Sequence, residues 1–348
     1  MSRDVAFYLK GRPSGGGANS VVQEFTALVH NYGIGYLVIQ PEQVTAFRIA
    51  YGWNQTILDR VKVALSDLPT DVLPIATTND SLREIRAALD DESRTILYYV
   101  QDYEPLFYSP HTDQHITAHE SYSEPNNVVA VVKTDWLRDT LLRETFLPVV
   151  KIRPSIDRDL YFPEPLDQQA GRPTLVAMVR PATPRRAPAR TVAILNRLAA
   201  DPNIRADLVT FGCTNEDLEA NGYRLDPTIV NAGRLAPERV SELIRRARFV
   251  LDVSDYQAFG RTLAEGMASG AIPIATRFGA PSEFIEDRLS GFLVNPSDLD
   301  GTYETLEGAL SSPVEDLDDM SRQAVRAVAG WSVDGTALDW FALAQDVV

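Results

Sequence analysis

The feature that most constrains this chain is an alternation. Short, uninterrupted apolar runs are separated by longer amphipathic stretches, in two successive series. The first series is VAFYLK at Val5–Lys10, YLVIQ at Tyr36–Gln40, then DVLPIAT, TILYYVQ, VVAVVKT and PVVKIRP. The second is Thr174–Val179, Ala206–Phe211, Phe249–Val253 and Ile272–Ala275. Runs that are apolar throughout, and not at every second position, suit strands covered on both faces. The intervals are long enough for crossover helices, so each series predicts an α/β domain with parallel strands. Between them lies KIRPSIDRDLYFPEPLDQQAGRP, rich in proline and charge, which reads as a connection. The expected organisation is a first domain at 1–155, a linker at 156–171, a second domain at 172–325, and an amphipathic tail at 326–348 that can pack back on the first domain. Open parallel sheets take ligands at the C-terminal ends of their strands, which in a two-domain chain points to an interdomain cleft.

Charge and cysteine content narrow the function. Asp and Glu number 48 against 33 Lys and Arg, a net charge of -15. Such a surface argues against a general nucleic-acid binder, while leaving room for a local basic pocket that holds phosphate. The single cysteine, Cys213, excludes an internal disulfide and a cysteine metal cluster, and fits a reducing compartment. The opening MSRDVAFYLKG turns apolar too soon for a signal peptide, and no apolar stretch approaches a membrane span. The expected location is the cytoplasm, with any membrane contact peripheral at the inner face.

Several loops carry residues suited to binding. GRPSGGGANS, residues 11–20, lies between a strand and a helix expected to begin near Asn19 or Ser20. Gly15, Gly16 and Gly17 let backbone N–H groups approach a phosphate or a sugar hydroxyl closely; a tight structural turn is the alternative. The stretch matches neither GxxxxGK[ST] nor GxGxxG. Arg180, Arg185 and Arg186 follow a strand in VRPATPRRAPAR. Guanidinium forks there suit a diphosphate, although a solvated basic loop has the same composition. In YQAFGRTLAEGMASG, Tyr256–Gly270, a helix is expected from Arg261 or Thr262, with Leu263 and Met267 toward the core. Glu265 stands at i,i+4 from Arg261: either a surface ion pair or a carboxylate receiving ribose hydroxyls. His111, His115 and His119 are spaced four apart, and Asp157–Asp159 and Asp298–Asp300 match DxD. Neither acidic pair follows a clear apolar strand, the histidines lack HExxH, and no metal site is expected. Tyr103, Glu104, Phe107 and Tyr108 follow a strand and suit stacking on a sugar or a local apolar cluster. Asp102 and Glu104 lack a readable partner and are not assigned as an acid–base pair.

The second half resembles the retaining GT-B glycosyltransferase superfamily, in particular its GT4-like group. The likeness is carried by VRPATPRR, NAGRLAPERVSELIRRARFVLDVS, YQAFGRTLAEGMASG and GAPSEFIEDRLSGFLVNPSD. Upstream, IRPSIDRDLYFP resembles the interdomain segment, and YYVQDYEPLFY adds likeness to bacterial surface-polysaccharide rhamnosyltransferases. The resemblance implies two Rossmann-like domains, with the nucleotide sugar held mainly by the second. It implies donor contacts from Phe259, Gly260, Arg261, Thr262 and Glu265, which falls on the second glutamate of an E-x7-E pattern. The first glutamate falls on Gln257, an uncharged departure. The arginine and lysine of the diphosphate site fall on Arg180 and on Arg185 or Arg186, so arginine replaces lysine. The implied chemistry is metal-independent transfer with retention and no cofactor, in which Arg180, Arg185, Gln257 and Glu265 act on the reacting donor. The implied donor is a deoxyhexose nucleotide such as dTDP-rhamnose, with UDP- and GDP-sugars open. The implied acceptor is a saccharide, lipid-linked in surface-glycan synthesis. A sugar-nucleotide epimerase, a glycogen-synthase-like enzyme and a non-catalytic nucleotide or glycan binder share the same motifs.

Overall fold

The computed structural model describes residues 3–13, 15–89, 93–123, 127–164 and 172–346. Residues 165–171 of the expected linker lie outside the described residues. The chain divides into two compact units: 1–155 with 331–348, and 156–330.

The first unit runs β1 (Val5–Tyr8), α1 (Gly16–Tyr32), β2 (Tyr36–Val38), α2 (Val44–Tyr51), α3 (Gln55–Leu58), β3 (Val61–Lys62) and β4 (Leu73–Ala76). It continues with α4 (Asn79–Ala88), β5 (Ile96–Tyr99), α5 (Asp113–Ser123), β6 (Val128–Val132), α6 (Asp135–Glu144) and β7 (Val149–Lys151). The strands form a 7-stranded sheet in the order β3-β2-β1-β4-β5-β6-β7, and every pairing is parallel. LPIA of β4 and ILYY of β5 are buried at every position, as central strands with helices on both faces must be. The edge strand β3 has only two residues, too short to leave an apolar run in the sequence.

One boundary corrects the sequence expectation. Helix α1 begins at Gly16, not near Asn19 or Ser20. Gly15, at φ 100°, makes the turn, so Gly16 and Gly17 lie in the first helical turn. Glycine disfavours helix interiors, yet at this end the lost side chains leave room: a Cβ on Gly17 would lie 3.4 Å from the Gln101 amide.

The second unit runs β8 (Thr174–Met178), α7 (Pro188–Ala200), β9 (Asp207–Phe211), α8 (Asn215–Ala220), β10 (Val230–Asn231), α9 (Pro237–Arg245) and β11 (Phe249–Asp252). Then come α10 (Arg261–Ala268), β12 (Ile272–Thr276), α11 (Pro281–Phe284), β13 (Phe292–Val294), α12 (Leu299–Leu310) and α13 (Val314–Ala327). Its 6-stranded sheet has the order β10-β9-β8-β11-β12-β13, again with parallel pairings. Strand order reverses between β8 and β11, which pair directly. Loops leaving their C-terminal ends diverge to opposite faces and open a crevice, the usual ligand position in such sheets.

The last helix, α14 (Val333–Asp346), returns to the first unit and packs on α1. Trp340 is fully buried there, edge-on to Phe7 and Tyr99 at 5.2 Å each.

Candidate functional site

The crevice of the second unit is built by the loop after β8 and the loop after β11. Arg180 lies two residues past the end of β8, and Arg185 and Arg186 lie in a short 3-10 turn, Pro184–Arg186. The two loops are tied together. Arg190 Nη1 donates to Val253 O at 2.7 Å and Nη2 pairs with Asp255 at 3.0 Å. The Asp255 amide donates to Arg185 O at 2.9 Å. Arg180 is half-buried; burial first, then the neighbouring Arg186 and Arg185, push its pKa below the ordinary guanidinium value, while Asp252 opposes them. The three arginines thus form a cluster of cations close enough to repel one another.

Gln257 sits at the centre of this arrangement and is 4% exposed. Its Oε1 accepts from Arg186 Nη1, and its Nε2 donates to Asp252 Oδ2 and, at 3.2 Å, to Ser254 Oγ. Its backbone is clamped by the loop after β12: the Gln257 amide donates to Phe278 O at 3.2 Å, and the Ala280 amide donates to Gln257 O at 2.8 Å. Gly279, at φ +93°, makes that clamp, since a Cβ there would fall 2.1 Å from Gln257 O.

Helix α10 begins at Arg261, behind Gly260 in the left-handed conformation. Leu263 and Met267 are fully buried, as their spacing implies. Glu265 is buried with them. Its Oε1 accepts from Arg261 Nε at 2.6 Å, and the Tyr161 hydroxyl bonds the same carboxylate. Burial raises the Glu265 pKa, while Arg261 and Tyr161 pull the other way. The i,i+4 pair is therefore an interior one, not a surface bridge: its members are 14% and 8% exposed. Thr262 Oγ1 reaches Met178 Sδ at 3.9 Å, joining α10 to the end of β8. Phe259 packs at a tilt on Phe284, with centroids 6.2 Å apart.

The structure thus brings together Arg180, Arg185, Arg186 and Gln257, and places Phe259, Gly260, Arg261, Thr262 and Glu265 on the adjoining loop and helix. Gly15, Gly16 and Gly17 belong to the first unit, at the C-terminal end of β1. Sequence reasoning missed Asp252, Arg190 and Tyr161. Asp252 left a signal, a carboxylate closing the apolar run FVLD; Tyr161 left none.

Other singled-out residues have different surroundings. His115 and His119 lie in α5, but His111 precedes it at φ 67°, so the three share no helical face. Asp157 accepts from the amides of Asp159 and Leu160 at 3.1 and 3.3 Å. Asp298 caps α12 through Gly301 N at 3.0 Å, and Asp300 pairs with Arg197 at 2.6 Å. Among the described residues, no group of three or more His, Cys, Asp or Glu is placed to hold a metal ion. Among those residues, too, no helix is long and apolar enough to cross a membrane.

Solved structures share this fold. Sucrose-phosphate synthase of Thermosynechococcus elongatus superposes with a TM-score of 0.74 at 15% identity, covering 98% of each chain. HepE of Anabaena, solved with UDP and glucose, gives 0.75 at 16% identity, covering 99% of this chain and 100% of that one. WaaG, titled a glycosyltransferase involved in lipopolysaccharide biosynthesis, gives 0.70 at 13% identity over 98% of this chain and 100% of its own. The fold is GT-B. Within it, residues 172–312 match the model of the family described as glycosyl transferases group 1. A sucrose synthase of Acidithiobacillus caldus is 40% identical over 99 residues, which are 27% of this chain and 12% of that protein. A sucrose synthase of Thermosynechococcus vestitus is 34% identical over 89 residues, or 24% of this chain and 11% of its own length. The alignments therefore span only about a tenth of the length of these curated relatives.

Proposed function

We propose that the chain is a hexosyltransferase that takes a sugar from a nucleoside-diphosphate donor and delivers it, with retention, to a saccharide hydroxyl. The observation that carries this is the cluster of Arg180, Arg185 and Arg186 at the switch point of the second sheet, with the Asp252 carboxylate close by. As the glycosidic bond breaks, charge grows on the departing diphosphate. The Arg186 guanidinium, held by Gln257, on a loop that Arg190 ties to Val253 and Asp255, meets that charge with little reorganisation. Glu265 and the start of α10 receive the nucleoside side of the donor; Gly15 to Gly17, after β1, form a ligand-facing loop of the first unit. The proton of the acceptor hydroxyl passes to a donor phosphate oxygen, and neither a divalent ion nor a cofactor takes part, so EDTA leaves turnover intact.

The support for the base and the sugar comes from different directions. HepE was solved with UDP and UDP-glucose, and TarM with UDP, which favours uridine. YYVQDYEPLFY favours a deoxyhexose such as rhamnose on dTDP, with a lipid-linked glycan acceptor reached from the inner membrane face. GDP-sugars complete the set. A calorimetric screen of UDP-, dTDP- and GDP-sugars decides among them. Arg180→Ala should weaken a diphosphate donor by roughly 10–100-fold, the cost of losing a charged hydrogen bond, and leave the free nucleoside unchanged. Equal loss for both ligands marks structural damage. Failure of every sugar nucleotide to bind removes the reading, and donor binding without transfer to any saccharide leaves a non-catalytic nucleotide binder.

A further inference from the structure

Position 257 holds an amide where the resembling family holds a carboxylate, and the geometry around it is directional. A primary amide has one acceptor oxygen and one donor nitrogen. Here the oxygen meets the Arg186 guanidinium, and the nitrogen meets the Asp252 carboxylate and the Ser254 hydroxyl. Turning the amide over would set NH2 against guanidinium and C=O against carboxylate, so the surroundings allow one orientation only. A glutamate at 257 would put two carboxylates in contact in a buried position, and their repulsion would raise the pH at which one of them takes up a proton. Asp252 is itself fixed: its Oδ1 accepts the Ser254 amide at 3.0 Å, at the C-terminal end of β11. It also lies close enough to Arg180 for their charges to interact.

We propose that Asp252 is a positioning residue of the anion pocket, acting on Arg186 through Gln257 and on Arg180 by its charge. This rests on the diphosphate reading of the arginine cluster. A neutral residue at 257 leaves the pocket one unit more positive than a glutamate would. Asp252 keeps Arg186 aimed without contacting the ligand itself. The charged groups around the pair are Arg180, Arg185 and Arg186, with the Arg190–Asp255 pair anchoring the loop. Guanidiniums keep their charge throughout the accessible pH range.

The test is an exchange. Pyrophosphate and the best-binding sugar nucleotide are titrated by calorimetry into the wild type, Gln257→Glu, and the double variant Asp252→Asn with Gln257→Glu. Gln257→Glu should weaken both ligands at least tenfold at pH 8. Its deficit relative to the wild type should shrink toward pH 5, where one of the paired carboxylates gains a proton and donates as the amide did. A residue that merely supported the fold would not produce that pH profile. The double variant restores one acid and one amide in reversed order and should return to within threefold of the wild type. A double variant no better than Gln257→Glu, or a Gln257→Glu with wild-type affinity, overturns the proposal. If Gln257→Glu fails to fold, Asp252→Ala replaces it: loss of pyrophosphate affinity with unchanged nucleoside affinity supports the proposal, and equal losses or none overturn it. A wild type that binds pyrophosphate but no sugar nucleotide removes the proposed function and leaves this inference to the exchange. One that binds neither removes both.

Discussion

Glu265, buried, and Glu104, half-buried, are carboxylates near the C-terminal ends of the two sheets, and their partners give them different chemistry. Glu265 has a guanidinium and a phenol against it. Glu104 is held by neutral donors: it accepts the Asn79 amide at the start of α4 with both oxygens at 3.1 Å and the Tyr98 hydroxyl at 3.0 Å. Burial pushes its pKa up to about 7; the Asn79 and Tyr98 hydrogen bonds oppose this, while Asp80 and Asp102 add to it. Between about 4.5, the ordinary value, and about 7, the folded chain holds a proton that the unfolded chain has lost. Stability from this group is therefore full below about 4.5 and is lost as pH rises through about 7. Glu104→Gln removes the dependence. Relative to the wild type, the variant should gain stability between pH 5 and pH 8, by at most about 3 kcal/mol. Urea midpoints at the two pH values measure it. A variant that loses ground at pH 8 would show that Glu104 is held as a carboxylate.

At the scale of the element, α10 shows what a local sequence pattern can and cannot disclose. Leu263 and Met267 at i,i+4 read as a buried stripe, and small residues beside them as close helix–sheet packing; both features are physical consequences of helical period. Gly266 is the point of closest approach: a Cβ there would lie 2.8 Å from Val250 Cγ2, on the middle of β11. Valine is stiff at χ1, so it gives way poorly. Gly266→Ala gains roughly 1 kcal/mol of helix propensity but overpacks the contact at a cost of about 1–3 kcal/mol, so a net loss of about 1 kcal/mol is expected. Val250→Ala opens the space. In a double-mutant cycle the pair should be less destabilised than the sum of the singles by about 0.5–3 kcal/mol; additivity would mean that α10 shifts as a body instead. The partners of Arg186 and Glu265 were not legible in the same way. Arg186 meets a residue 71 positions away, and Tyr161 lies outside any helix or strand period, so the sequence revealed the residue types and the register of α10 but not who bonds to whom.

The same limit operates over the whole molecule. The parallel sheets were legible because a strand covered on both faces must be apolar along its length. The two-residue strands β3 and β10 were not, since VK and VN bury too little to leave a pattern. The tail WSVDGTALDWFALAQ is amphipathic in sequence, but its partner is about 300 residues away. Trp340 Nε1 donates to Glu24 Oε2 at 2.8 Å across 316 positions. Glu24 is fully buried, and its Oε1 also receives Lys133, Ser155 at 2.8 Å and Tyr99 at 3.1 Å. Around this network Asn31 bonds Asp334 at 2.7 Å, Arg153 grips Asp339 with Nε at 2.8 Å and Nη2 at 2.6 Å, and Tyr32 stacks on Phe341 at 4.5 Å. A buried carboxylate with this many donors is costly to disturb, because each lost partner leaves charge without compensation in a low-dielectric interior. Trp340→Phe keeps most of the apolar volume and removes one donor, so it should destabilise the first unit by about 1–3 kcal/mol. Trp340→Ala adds a cavity and should cost about 3–5 kcal/mol. Both losses belong to the unit formed by 1–155 and 331–348, whereas 156–330 has its own core around Leu175, Leu195, Phe249, Ile272 and Leu306. Calorimetry should accordingly show one transition falling in temperature while a second holds its position. A uniform shift of all unfolding would mean that the two units melt as one, and that α14 stabilises more of the chain than the unit it completes.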